Sequence, residues 1–282
     1  MDRTLQSIIS NAINEQNVNQ NKALMLISNK QECFATFLVR NAGIVAGTNL
    51  ISEVYRQINP NIKVEILKED GFYINKGDAI ASVQGKMTDV LKGSNIVINY
   101  LQHLSGVATV ADKYREELVN TDCELVIDEQ YTPNCRGFEE EAVQSIGCSL
   151  RASEEDYILI TESHLLVSES ISSAIETIRK KYPHATIEIE VKNKNEYLNA
   201  LETSVNKITL LNFKDTDIKE MLEEDHYGVK VGVSGSYQIG KIRMIAKMGA
   251  DYIIINNLKT MPKGLDVYLK LYKRSIKKGP LN

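Results

Sequence analysis

The sequence has no C-x-x-C pair, only four histidines and no excess of positive charge. Its cysteines, Cys33, Cys123, Cys135 and Cys148, are dispersed, and only His164 lies in the same region as Cys135 and Cys148. A zinc site needs clustered thiolates and imidazoles, so reduced, mostly buried thiols and no bound metal are expected. Lys and Arg number 33 against 37 Asp and Glu, a formal charge of −4. That leaves no bulk positive field for nucleic acid, and no nucleic-acid partner is expected. No apolar run approaches the ~18 residues of a membrane span, and Met1-Asp2-Arg3-Thr4 lacks the basic flank and apolar core of a secretory signal. The expectation is a cytoplasmic protein without a membrane partner. With 16 Gly and 5 Pro the chain is neither collagenous nor low-complexity. The acidic runs Glu139-Glu140-Glu141, Glu154-Glu155-Asp156 and Glu223-Glu224-Asp225 read as solvated helix or loop faces.

What is present falls into two textures, and 282 residues suit one large or two modest domains. Residues 1–110 mix helical spacing (Leu5, Ile8, Ile9, Ala12, Ile13) with strand-like runs at Ala35–Arg40, Lys63–Leu67 and Ala79–Val83. A helical stripe then runs from about Val90 to Leu118. From residue 111 to 282 the pattern is regular, with the final segment a candidate to return to the first domain. Apolar, β-branched runs occur at Leu125–Ile127, Tyr157–Ile160, Ile187–Val191, Ile208–Leu211, Val229–Val233 and Tyr252–Ile255. The last four start at residues 187, 208, 229 and 252, and each gap accommodates one strand plus one covering helix.

Repeated βα units mean a parallel sheet, closed or doubly wound. No G-x-G-x-x-G follows any strand, so a barrel is favoured over a dinucleotide-binding open sheet. Barrel chemistry sits at the C-terminal ends of the strands. Those ends carry Asp128, Thr161-Glu162, Glu190, Leu211-Asn212, Ser234-Gly235 and Asn256-Asn257. Alternation along Ile187–Val191 sets Glu188 and Glu190 on one side; Glu190 is either half of an internal salt bridge or an acid facing a ligand. Ser234-Gly235-Ser236 is either an ordinary capped turn or an anion-binding helix start. Arg151 and His164 flank the Tyr157–Ile160 strand, and each is a weak signal by itself.

Asn99–Thr109, reading N-Y-L-Q-H-L-S-G-V-A-T, closely resembles the motif L-N-x-L-Q-x-L-S-G-x-A-T of the quinolinate phosphoribosyltransferases. Arg40–Gly47 is similar to that family's R-x-A-G-V-x-A-G, and Gly71–Gly85 to its G-x-x-V-x-x-G-D-x-I-A-x-V-x-G. Ile187–Val191, Ser234-Gly235 and Gly249–Ile253 follow in the family's order. The resemblance implies an N-terminal α/β sandwich domain, an incomplete parallel α/β barrel, and a homodimer in which one subunit's N-terminal domain covers the other's barrel mouth. It also implies a reaction in which quinolinate and phosphoribosyl diphosphate give nicotinate mononucleotide, pyrophosphate and CO2 with Mg2+.

Carried over position by position, the resemblance keeps Glu190, Ser234, Gly235, Asp128 and Arg151. The arginine of its E-R pair becomes Asn95, and the Arg-Lys of its D-T-R-K-T becomes Gln130 and Tyr131. The His of its H-R pair becomes Leu150, and the Lys of its L-I-K-D-N-H becomes Thr161, with His164 retained. The Asp of its M-L-D-N-F becomes Leu211, a later glycine becomes Asn256, and its G-D-x-T is missing near Asn19 to Ala23. One of six basic positions survives. Three readings stay open: a diverged member holding a small, less anionic ligand that carries a single phosphate or carboxylate; an active transferase whose cations have moved to Arg136, Lys192 and Lys259, with Mg2+ as cofactor only in that case; and a catalytically silent dimeric module.

Overall fold

The computed structural model describes residues 3–16, 22–28, 31–128, 131–152, 155–256, 258 and 264–273. In chain order, α1 (Arg3–Glu15), β1 (Glu32–Val39), β2 (Gly43–Ile44), α2 (Asn49–Ile58), β3 (Lys63–Ile66), β4 (Tyr73–Ile74), β5 (Ala79–Lys86) and α3 (Met87–Glu116) come first. Next are β6 (Glu124–Ile127), α4 (Arg136–Gln144), β7 (Ser149–Leu150), β8 (Tyr157–Ile160), α5 (Glu162–Leu165) and α6 (Ile171–Lys181). The chain continues through β9 (Thr186–Val191), α7 (Lys194–Leu201), β10 (Lys207–Leu211), α8 (Asp215–Glu223), β11 (Lys230–Ser234), α9 (Ile239–Lys247), β12 (Tyr252–Ile255) and β13 (Val267–Lys273).

Two units partition these elements: Met1–Val110 with Thr132–Ile146 and Pro262–Asn282, and Ala111–Tyr131 with Gly147–Met261. The segment Thr132–Ile146, which strand spacing alone puts with the barrel, clusters with the first unit, and so does β13. In the first unit an antiparallel sheet runs β13-β1-β5-β3, and β13 pairs with β1 over Cys33–Val39. Small residues and hydroxyls fasten α3 beside the short β2-β4 ladder. The Ile44 N–H donates to Thr109 Oγ1 at 2.8 Å and the Ala46 N–H to Ser105 Oγ at 3.0 Å. The start of α2 is held by Asp70, whose carboxylate accepts the Gly47 and Thr48 N–H groups at 2.8 and 2.9 Å. The acidic run 139–141 is not wholly solvated: Glu139 is buried on α4, because it has hydrogen-bond partners there.

The second unit is a seven-stranded parallel sheet, β7-β6-β12-β11-β10-β9-β8, with helices between the successive strands from β8 to β12: an incomplete α/β barrel. Alternation explains β9, where Ile187, Ile189 and Val191 are wholly buried and Glu188 and Glu190 share the opposite side. Covering helices start on side-chain caps: Ser170 accepts from Ser173 N–H before α6, and Asn193 from Glu196 N–H before α7. On β11, Gly232 leaves room for the Tyr252 ring of β12 to lie across it; a Cβ there would overlap the ring. Among the described residues no helix is long and apolar enough to cross a membrane.

Candidate functional site

The C-terminal ends of the barrel strands bring Asp128, Glu188 and Glu190 together around one guanidinium. Arg151 follows β7 and is 5% exposed. Its Nη1 reaches Asp128 Oδ1 at 3.3 Å, and its Nη2 reaches Glu190 Oε1 at 2.9 Å and also Glu188. Burial alone would lower the guanidinium's affinity for its proton, but Glu188, Glu190 and Asp128 outweigh that, and the group stays charged. Its Nε is buried without a partner in the described structure. Three carboxylates therefore meet one cation.

Glu188 is fixed from every side. Thr209 Oγ1 donates to its Oε1 at 2.6 Å, and the Tyr157 hydroxyl donates to its Oε2. Thr209 in turn meets the Tyr252 hydroxyl at 2.8 Å, and that hydroxyl donates to the Ile208 carbonyl at 3.1 Å. Burial and the nearby Glu188 charge push the Tyr252 phenol far above its ordinary range, so it stays protonated. Tyr157, Thr209 and Tyr252 are supports that the sequence reading did not single out. The signal for Thr209 was present: it is the polar residue between Ile208 and Leu210, on the inward phase of β10.

Beside Glu190 lies a cavity of about 190 Å³ lined by Glu162, Leu165, Leu166, Glu190, Lys192, Glu196 and Leu211. Leu211 presents an alkyl group to this cavity. Lys192 pairs with Glu162, and its N–H donates to Glu196 Oε2 at 2.8 Å. Counting Asp128 and Glu188 behind it, five carboxylates face two cations. Thr161 and His164 serve the chain locally: the Thr161 N–H donates to His164 Nδ1 at 3.1 Å, and the Thr161 hydroxyl meets the same nitrogen at 2.9 Å, capping α5.

Ser234 is fully buried, and its Oγ lies 3.2 Å from Asn256 Nδ2. Over Gly235 packs the Tyr237 ring, 2.9 Å from where a Cβ would sit. Burial and Asp215 push the Tyr237 phenol up to about 12. The backbone read as an anion cradle thus lies under an aromatic ring. Leu150 lies on β7 and Tyr131 is half-buried at the edge of the second unit. Asn95 is exposed on α3, and Arg136 opens α4, both in the first unit. Arg136 donates to Glu140 Oε1 at 2.8 Å. Gln130 and Lys259 lie outside the described residues, as do Asn257 and most of the segment from Asn19 to Ala23.

A Mg2+ ion needs free, hard oxygen ligands. Among the described residues Asp128, Glu188 and Glu190 are committed to Arg151, Glu162 to Lys192 and Glu196 to the Lys192 N–H, and Leu211 offers no oxygen, so these residues do not fit that ion. Among the described residues no group of three or more His, Cys, Asp or Glu is placed to hold a metal.

Comparison with known proteins gives a consistent result along the chain. Residues 17–105 match the family model described as quinolinate phosphoribosyl transferase, N-terminal domain, and residues 107–270 match the model of its C-terminal domain. The chain is similar to a probable nicotinate-nucleotide pyrophosphorylase (carboxylating) of Bacillus subtilis (strain 168), at 26% identity over 243 residues, 86% of this chain and 84% of that protein. It is also similar to the crystal structure of nicotinate-nucleotide pyrophosphorylase from Ehrlichia chaffeensis, at 26% identity and a TM-score of 0.88 over 94% of this chain and 98% of that one. The structure of the nicotinate-nucleotide pyrophosphorylase from Francisella tularensis has the same fold, with a TM-score of 0.87 at 24% identity, over 96% and 100% of the two chains.

Proposed function

Because the chain belongs to the quinolinate phosphoribosyl transferase family, we propose that it keeps the family's barrel-mouth pocket for a small ligand of low negative charge and does not transfer a phosphoribosyl group to quinolinate. One observation carries this reading: the single retained basic position, Arg151, is spent on Asp128, Glu188 and Glu190. Phosphoribosyl diphosphate and a pyridine dicarboxylate together bring several negative charges. Each Arg or Lys contact to them is worth about 1.5–3 kcal/mol, so five missing contacts remove on the order of 7 kcal/mol, about five decades of affinity. Non-additivity that halves this loss leaves the activity unrestored. Of the cations available for relocation, Lys192 is held by Glu162 and Arg136 donates to Glu140.

In this reading Glu190 accepts a donor from the ligand while Arg151 fixes its orientation. Leu211 and Leu165 supply apolar wall, and Lys192 enters the lining already paired with Glu162. The cavity of about 190 Å³ lies below the ~300 Å³ typical of ligand pockets, which favours a small occupant.

Incubation of the purified protein with quinolinate, phosphoribosyl diphosphate and Mg2+ is expected to yield no nicotinate mononucleotide above background. Clear turnover abolished by Arg136→Ala would establish relocated cations instead. A thermal-shift screen of phosphorylated, carboxylated and neutral small molecules, repeated on Glu190→Ala, separates a ligand pocket from a silent module. Stabilisation lost in the variant supports the pocket, and no response to any compound supports the silent module.

A further inference from the structure

The first unit contains a cleft of about 420 Å³ between α1, α3 and the Thr132–Cys135 segment. A second hollow of about 540 Å³ continues it, and the two share Ala12, Glu15, Tyr100 and Cys135. This volume lies in the range of small-molecule sites. One wall is apolar, with Ala12 and Ile96 flanking the Tyr100 ring, and that ring is set edge-on to Phe138 at 5.6 Å between centroids.

His103 is held in place beside it. Its Nε2 lies 2.6 Å from Glu139 Oε1, while Glu139 Oε2 accepts the Thr132 N–H at 3.1 Å. Among the described residues Nδ1 has no partner. Glu15, at the C-terminal end of α1, is exposed and has no ion pair or hydrogen bond among the described residues. The Glu15 charge is near enough to the Tyr100 hydroxyl to contribute to its raised pKa, after burial and Cys135. Burial and Glu139 raise the Cys135 thiol, so it stays neutral and offers no nucleophile. No lysine or arginine lines the 420 Å³ cleft; in the adjoining hollow, Arg136 donates to Glu140.

An aromatic face and a carboxylate without a partner among the described residues, in a cleft that no lysine or arginine lines, form a recognisable combination. We propose that this cleft binds a small cationic amphiphile, an aromatic or alicyclic amine, with its ring against Ala12, Ile96 and Tyr100 and its ammonium at Glu15. The proposal is argued from the residues lining this cleft and does not depend on the reading given for the barrel mouth.

Benzylamine, benzyl alcohol and benzoate, titrated by calorimetry and by amide chemical-shift mapping, test the assignment. Benzylamine is expected to bind with shifts on α1 and α3, and benzoate to bind at least tenfold more weakly. Glu15→Gln, a surface change that leaves the fold intact, should weaken benzylamine about fivefold, the scale of one exposed charged contact. Tyr100→Leu should weaken it similarly, and Glu190→Gln in the barrel mouth should have no effect. Absence of benzylamine binding, equal binding of benzoate, or an affinity unchanged in Glu15→Gln would overturn the proposal. Loss in Glu190→Gln alone would place the amine in the barrel mouth and also overturn it.

Discussion

At the scale of single residues, buried charges in this chain are found where partners surround them. Glu139 shows this as clearly as Arg151. Burial would raise its carboxyl, but hydrogen bonds from His103 and Thr132 outweigh that and hold it below its ordinary value of 4.5. A carboxylate with a lowered folded-state pKa stabilises the fold above the unfolded value, and that contribution is lost as the pH falls through the folded one. Glu139→Gln should therefore cost about 1–2 kcal/mol at pH 7, and the gap from the parent should shrink toward pH 3. Urea unfolding of both proteins across that range measures it, and a gap independent of pH would count against the ion pair. Residue roles were only half legible in the sequence. Alternation put Glu188 and Glu190 together, as the structure has them, but the acidic run gave no hint that Glu139 faces inward. Its partner His103 lies 36 positions away, and no periodicity reports such a pairing.

At the scale of elements, most barrel strands were readable because they are apolar, β-branched runs bounded by polar residues. Tyr157–Ile160 and Tyr252–Ile255 match their expected ends, and β9 and β10 each begin one residue earlier than the runs suggest. The two-residue strands β2, β4 and β7 are too short to carry a period. α4 hides its apolar positions, Phe138, Ala142 and Val143, among three glutamates. What the runs did not show is how neighbouring strands fit. Gly232 on β11 lies flat under the Tyr252 ring, and that ring carries the hydroxyl bound to Thr209. Gly232→Ala should force the ring aside and destabilise the protein by about 1–3 kcal/mol, the usual cost of overpacking. The denaturant midpoint checks this, and a loss below about 0.5 kcal/mol would mean that the ring moves freely.

At the scale of the whole molecule, the motif that best identifies the family has an architectural job. Ser105 and Thr109 bind the backbone at Ala46 and Ile44, and Gly47 fits against Leu104. Such contacts survive a change of chemistry, so family membership and catalytic competence are written in different residues. The family resemblance also implies pairing with a second copy, and the second unit presents a surface suited to it: the adjacent Leu166 and Val167 are 80% and 89% exposed. Neighbouring large apolar side chains left in water commonly mark an interface. The chain is expected to sediment at twice its 31.7 kDa at tens of micromolar. Leu166→Asp with Val167→Asp should shift it to the single-chain mass while leaving the circular dichroism unchanged, because burying two unpaired carboxylates at an interface is costly. A double variant that still sediments as the pair would move the interface elsewhere, and a parent protein that is monomeric at that concentration would remove the family's way of completing the site.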